Sequence, residues 1–181
     1  FRIMAEFVEG YERLAKSGPC ITAFGSARTR RSDPYYKTAV RLGALAAENG
    51  FGVITGGGPG IMEAVNRGAT EKEGTSIGLN IQLPFEQVPN RYIGDLINFR
   101  YFFCRKVMFL KYTMGVIVLP GGFGTMDELF ETLTLVQTQK IPHFPLILMG
   151  KSFWRGLFAW MRKEMESRRF LLKGDLDLPT L

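Results

Sequence analysis

The sequence predicts an α/β protein: one domain built as a doubly wound, Rossmann-like parallel sheet. Three observations carry this. The chain has 181 residues, 46% of them hydrophobic, which suits one domain of ordinary size with a sizeable core. Strand-like and helix-like segments alternate from end to end, without an internal repeat, low-complexity tract or linker. The candidate strands, such as Gly115-Val116-Ile117-Val118-Leu119, are apolar on both faces, as parallel strands covered by helices on both sides must be. Crossovers between such strands are right-handed, and ligands bind beyond the strands' carboxyl ends.

The elements follow in order. Met4–Lys16 reads as a helix with Phe7, Val8, Tyr11 and Leu14 on one side. Cys20–Phe24 is a short apolar strand ending at Gly25-Ser26. Asp33-Pro34 opens a helix, with proline near its first position, and Asn49-Gly50 closes it. Phe51–Thr55 is a strand, Gly56–Gly60 a loop, and Ile61–Lys72 a helix. Thr75–Asn80 is a strand, Gln82–Gly94 a loop containing Pro84 and Pro89, and Leu96–Phe99 a short strand. Tyr101–Tyr112 is a helix, Gly115–Leu119 a strand, Pro120–Gly124 a loop and Thr125–Gln137 a helix. Phe144–Met149 is the last strand and Phe153–Glu166 an amphipathic final helix. Residues 1–181 are expected to form one nucleotide-binding unit, with the helix of residues 1–17 packed on it.

Composition narrows the function. The formal net charge is +6, but the basic residues are dispersed apart from Arg28–Arg31 and Arg162–Lys173. A nucleic-acid footprint is a basic stripe interleaved with aromatics, and none is visible; small anionic ligands suit the surplus better. No apolar run approaches the ~20 residues that span a bilayer, so no membrane association is expected. The segment Phe1–Gly10 lacks a signal-peptide pattern, and its start on Phe1 leaves room for an upstream segment. Cys20 and Cys104 share no metal-ligand spacing, which suggests reduced thiols in a cytoplasmic protein. His143 is the only histidine. It leaves no Cys/His or Ser/His/Asp arrangement that lacks it, and no histidine metal cluster. No metal and no organic cofactor are expected.

Chemistry concentrates in the loops. In Leu119-Pro120-Gly121-Gly122-Phe123-Gly124-Thr125 a buried strand runs into a helix through three glycines. Missing Cβ atoms let the backbone approach a ligand closely, and the helix N-terminus that follows attracts anions. Gly121, Gly122, Gly124 and the Thr125 hydroxyl are therefore candidates for holding a phosphate. A purely structural reading stands beside this one. Thr125-Met126-Asp127-Glu128 matches the capping box Thr-x-x-Glu, in which Glu128 ties down the helix start. The second loop, Thr55-Gly56-Gly57-Gly58-Pro59-Gly60, is neither GxGxxG nor GxxxxGK[ST]. No acidic residue ends the next strand, which disfavours NAD. Arg105 and Lys106 precede the Gly115–Leu119 strand, and Arg105 is either a surface ion-pair partner or a fork-shaped donor for phosphate or base.

Together, Gly56-Gly57-Gly58-Pro59-Gly60-Ile61-Met62-Glu63-Ala64, Arg105-Lys106 and Pro120-Gly121-Gly122-Phe123-Gly124-Thr125-Met126-Asp127-Glu128 resemble the LOG ("Lonely guy") family of cytokinin riboside 5′-monophosphate phosphoribohydrolases. The chain reproduces the motif PGGxGTxxE completely, and the resemblance runs from about Ile21 to about Trp160. It implies hydrolysis of the N-glycosidic bond of AMP or an N6-substituted AMP, giving free base and ribose 5-phosphate. It places the catalytic pair on Arg105 and Glu128 and the substrate phosphate on Gly121, Gly122, Gly124 and Thr125. Ser26, Gly57, Gly58 and Lys106 are further candidates for nucleotide contacts. It also implies a homodimer or larger assembly, which the apolar residues Phe102, Phe103, Phe109, Phe130, Leu133 and Leu135 favour. Many relatives are labelled lysine decarboxylases, yet a pyridoxal-phosphate enzyme needs a Schiff-base lysine and a partner for the pyridine nitrogen, and the motifs offer neither. The alternative is a non-catalytic carrier of a nucleotide or of the molybdenum cofactor.

Overall fold

The computed structural model describes residues 1–83 and 88–181. Pro84 and its neighbours in the expected 82–94 loop lie outside the described residues. The elements are α1 (Arg2–Leu14), β1 (Cys20–Phe24), α2 (Pro34–Glu48), β2 (Gly52–Thr55), α3 (Ile61–Thr70), β3 (Ser76–Ile81), β4 (Asp95–Phe99), α4 (Phe102–Lys111), β5 (Thr113–Val118), α5 (Phe123–Gln137), β6 (Leu146–Leu148) and α6 (Lys151–Met161). A π-helical turn at Arg162–Glu166 and a short 3₁₀ turn at Asp175–Asp177 follow.

The six strands form one parallel sheet in the order β4-β3-β2-β1-β5-β6. This is the doubly wound α/β architecture the sequence predicts. The first four strands grow outward in one direction; the chain then returns to place β5 on the other side of β1. The order therefore reverses between β1 and β5, and the loops after those two strands flank the crevice where such sheets bind ligands.

Apolar residues on both strand faces meet helices on both sides. Ile54, Ile77, Leu79, Ile97, Val116 and Val118 pack in one core with Met108, Phe109, Leu129, Trp154 and Phe158. Ala23, Val53 and Leu119 pack in the other with Tyr36, Ala39, Ile61, Ala64 and Val65. The N-cap of α2 is Asp33, whose carboxylate accepts the Tyr35 N–H at 2.7 Å, with Pro34 at the first helical position. That is the pairing its sequence predicts.

The first helix lies along α4 and supports it. Gly10 admits the Met108 thioether so closely that a Cβ there would sit 2.8 Å from the sulfur. The Glu6 carboxylate accepts the N–H groups of Arg100 and Tyr101, at 3.0 and 3.3 Å, capping α4 from outside its own sequence. The apolar residues of α4 do not share one face. Cys104, Met108, Phe109 and Leu110 are buried, whereas Phe102, Phe103 and Val107 are exposed. Phe109 therefore belongs to the core, edge-on to Phe24 at 5.0 Å, and not to an outer surface.

Candidate active site

Three loops converge at the carboxyl edge of the sheet and are sewn together by main-chain hydrogen bonds. Ser26 N–H donates to Pro120 O at 3.0 Å, and Ile61 N–H to Ser26 O at 3.0 Å. The β1, β2 and β5 loops thus share Ser26 as a common strut. Gly60 makes this approach possible: its φ is +69°, and a Cβ would lie 2.3 Å from Ser26 O. Gly121 is required for a similar reason, because a Cβ there would sit 2.0 Å from Thr125 Oγ1.

The β5 loop ends in a helix that begins earlier than its sequence suggests. Gly122 is the N-cap and α5 starts at Phe123, with no side-chain capping bond. Thr125 is thus the third helical residue, and Glu128 lies beyond the reach of the cap. The capping box does not form. Met126 N–H is the first to bond into the helix, to Gly122 O at 3.0 Å. The N–H groups ahead of it, on Phe123, Gly124 and Thr125, are the unsatisfied donors of the helix start. Around Gly122 and Gly124 a Cβ would meet open space.

That space is a cavity of about 420 Å³ lined by residues of all three loops and of α4: Ser26, Arg28, Gly56, Met62, Phe102, Arg105, Gly122, Gly124, Thr125 and Glu128 among them. Its size falls in the range of small-ligand clefts, about 300–1,000 Å³.

The adjacent residues Arg105 and Lys106 leave α4 about 100° apart and serve different neighbours. Arg105 turns inward over the Phe109 ring, 5.0 Å from its centroid, and lies against Gly56, where a Cβ would come 2.8 Å from its guanidinium. Its Nε is buried without a hydrogen-bond partner among the described residues. Burial pulls its pKa below the ordinary arginine value, and the charge of Glu128 counteracts this only in part. A desolvated cation with no ion-pair partner among the described residues can receive an anion. Lys106, in contrast, is saturated. Its ammonium lies 2.9 Å from Asp127 Oδ2 and 3.6 Å from Glu128 Oε2 and also pairs with Glu131.

Glu128 is 8% exposed. Burial raises its pKa from 4.5 to about 7; the charges of Lys106 and Arg105 pull it down, while Glu131 and Asp127 push it up. The result is a carboxyl group that gains and loses its proton near neutrality, facing a cavity beside a helix N-terminus. Such a group can stabilise a developing positive charge or accept a proton from water.

The structure brings Arg105, Glu128, Gly122, Gly124, Thr125 and Ser26 to one cavity. Gly121 backs the loop without lining it. Gly57 and Gly58 face away; their carbonyl oxygens accept from Asn90 Nδ2 at 3.2 and 3.0 Å. Lys106 reaches the carboxylates of α5 and is not part of the cavity wall. Arg28, Met62 and Phe102 line it without having been singled out from sequence. Arg28 had stood out only as part of a basic run, Met62 only within the second glycine-loop motif and Phe102 only as a residue of an assembly surface. His143 lines separate grooves beside the 140–145 segment.

The family model described as "Possible lysine decarboxylase" matches residues 62–180, a span that holds both catalytic candidates and the whole PGGxGTxxE motif. The chain belongs to the LOG family. Among curated LOG relatives, it is 32% identical over 133 residues to the probable cytokinin riboside 5′-monophosphate phosphoribohydrolase LOGL5 of Oryza sativa subsp. japonica, covering 71% of this chain and 53% of that protein. It is also 31% identical over 125 residues to the pyrimidine/purine nucleotide 5′-monophosphate nucleosidase of Escherichia coli K12, covering 64% and 28%. The chain thus spans about half the length of the LOG proteins of rice that it matches and less of the bacterial nucleosidase. Among solved structures, the molybdenum cofactor binding protein of Rippkaea orientalis superposes with a TM-score of 0.61 at 25% identity, covering 80% of this chain and 83% of that one. The molybdenum cofactor carrier protein of Chlamydomonas reinhardtii superposes at 0.56 and 26% identity, covering 78% and 85%. Among the described residues no helix is long and apolar enough to cross a membrane.

Proposed function

We propose that the chain, acting as one nucleotide-binding unit, hydrolyses the N-glycosidic bond of a purine nucleoside 5′-monophosphate. AMP or an N6-substituted AMP gives the free base and ribose 5-phosphate. The observation that carries this reading is the buried Glu128 carboxyl, poised to ionise near pH 7, beside a helix N-terminus and a guanidinium that have no hydrogen-bond or ion-pair partner among the described residues. The names of the LOG relatives and of the bacterial nucleosidase support the same reaction.

The 5′-phosphate accepts hydrogen bonds from the N–H groups of Gly124 and Thr125 and from the Thr125 hydroxyl, at the positive end of the α5 dipole. Glu128 follows Gly124 by four residues, a rise of about 6 Å along the helix, which is the offset from a 5′-phosphate to the ribose ring. As the C1′–N9 bond breaks, positive charge builds on the ribose, as in other glycoside hydrolyses. The Glu128 carboxylate stabilises that charge and orients the water that adds to C1′. Arg105 holds phosphate or base as charge redistributes, and phosphate binding contributes energy remote from the breaking bond. The exposed Phe102, Phe103 and Val107 on α4 suit a homodimer or larger assembly; light scattering at micromolar protein tests this, and a monomer would count against it.

The test is incubation of the protein with AMP and quantitation of adenine. Release of adenine by the wild-type protein, nearly abolished in Glu128→Gln while AMP binding persists, supports the assignment. The carrier neighbours among solved structures favour a second reading, a protein that binds a phosphorylated ligand without cleaving it. Tight AMP binding with no adenine would select that reading.

A further inference from the structure

Lys106 differs from its neighbour in a way that the proposed reaction does not use. Of the two adjacent cations, one has no ion-pair partner among the described residues and the other has three carboxylates around it. Its side chain is 15% exposed, and Asp127 and Glu131 hold it from the residues flanking Glu128 on α5. A lysine whose charge is so matched, and which lies outside the cavity wall, is poorly placed for a substrate phosphate.

We propose that Lys106 is a positioning residue for Glu128: anchored between Asp127 and Glu131, its ammonium draws one carboxylate oxygen of Glu128 toward it by charge, from 3.6 Å, and leaves the other facing the cavity for the ribose and the attacking water. This rests on the reaction proposed above. The anchoring is what makes the arrangement directional. A lysine tethered only to Glu128 would follow that side chain through its rotamers, whereas one tied at two other points on α5 confines it. The charges facing Glu128 are Lys106 and Arg105 from α4, Asp127 and Glu131 from its own helix, and Arg28 across the cavity. Among the cations, Lys106 exerts the largest pull toward ionisation. Burial alone would lower the lysine's own pKa, but its bonds to Asp127 and Glu131 and the charge of Glu128 more than offset this. It therefore stays charged throughout the range in which Glu128 titrates.

Three variants and the pH dependence of AMP hydrolysis test the proposal. In Lys106→Met the acidic limb of kcat should move to higher pH by about 1–3 units, the effect expected of an opposite charge within 4–6 Å, and Lys106→Arg should restore it. Glu131→Gln, which removes a neighbouring negative charge, should move the limb to lower pH. KM for AMP should change by no more than about threefold in all three, since the interaction acts on the reacting carboxyl and not on uniform binding. A limb that stays put in Lys106→Met overturns the proposal, whatever Glu131→Gln does, since Glu131 acts on Glu128 through its own charge as well. So does a KM raised about tenfold or more at an unmoved limb, which would make Lys106 a phosphate contact. Should the wild-type protein release no adenine, the proposed reaction fails by itself. The Glu128 carboxyl can then be titrated by ¹³C NMR in the same variants, assigned by its loss in Glu128→Gln. An unchanged Glu128 titration in Lys106→Met would overturn the positioning role independently of turnover.

Discussion

Replacing Glu128 by glutamine should stabilise the protein, and only on the alkaline side. A carboxyl whose pKa stands at about 7 in the fold, against an ordinary 4.5, favours the protonated native state. Between those two values the unfolded chain releases its proton while the native protein keeps it, so stability falls as pH rises; above about 7 the cost is complete and constant. The displacement corresponds to about 3 kcal/mol. Glutamine removes the ionisation and nearly preserves the shape. Its loss of the contact with Lys106 matters little, because that ammonium retains Asp127 and Glu131. At pH 8.5 the variant should therefore unfold about 5 °C or more above the wild type, since 1 kcal/mol moves Tm by about 2–4 °C at this size. Near pH 4.5 the two should coincide. Calorimetry or thermal circular dichroism at both pH values measures this. A variant equally or less stable than wild type at pH 8.5, or one equally stabilised at both, would refute the argument that burial governs this carboxyl.

Further outcomes follow from the same site. The kcat/KM for AMP, which reports the unliganded protein, should fall as pH drops below about 7, because the ionised carboxylate is the working form; a flat profile from pH 5 to 8 contradicts this. Arg105→Gln should lower kcat/KM for AMP by about 100-fold or more without lowering Tm, since the guanidinium it removes is desolvated and has no ion-pair partner among the described residues. Gly124→Ala should fold at least as stably as the wild type, because a Cβ there meets open space and alanine is favoured over glycine in a helix by about 1 kcal/mol; its KM for AMP should nevertheless rise about tenfold as the methyl enters the phosphate's place. Gly121→Ala should lose stability instead, its Cβ colliding with Thr125 Oγ1, and urea titration separates the two.

The sheet and the three loops at its carboxyl edge were readable from sequence, because two-sided apolar strands and glycines at strand-to-helix junctions are local patterns. The start of α5 was not. Thr125-Met126-Asp127-Glu128 satisfies a local capping pattern, but Gly122 already holds the N-cap, so the helix gains its first turn from Phe123 onward. The sides taken by Phe102, Phe103 and Phe109 depend on where α1, β3 and β4 press on α4, which no spacing within α4 encodes. Arg105 and Lys106 are indistinguishable as a basic dipeptide. Only the α5 carboxylates on one side and the void beside Gly56 on the other separate them. Arg28, Met62 and Phe102 could not be placed at the cavity from sequence because each reaches it from a different segment, and Gly57 and Gly58 lie off it with carbonyls that accept from Asn90, 33 and 32 residues away in sequence.

The strut at Ser26 has a kinetic corollary. Its N–H is spent on one neighbouring loop and its carbonyl on another, so three segments of backbone arrive at the ligand already immobilised relative to one another. In the proposed reaction the substrate phosphate meets a cradle whose ordering cost was met during folding, and its capture does not have to wait for those three turns to assemble.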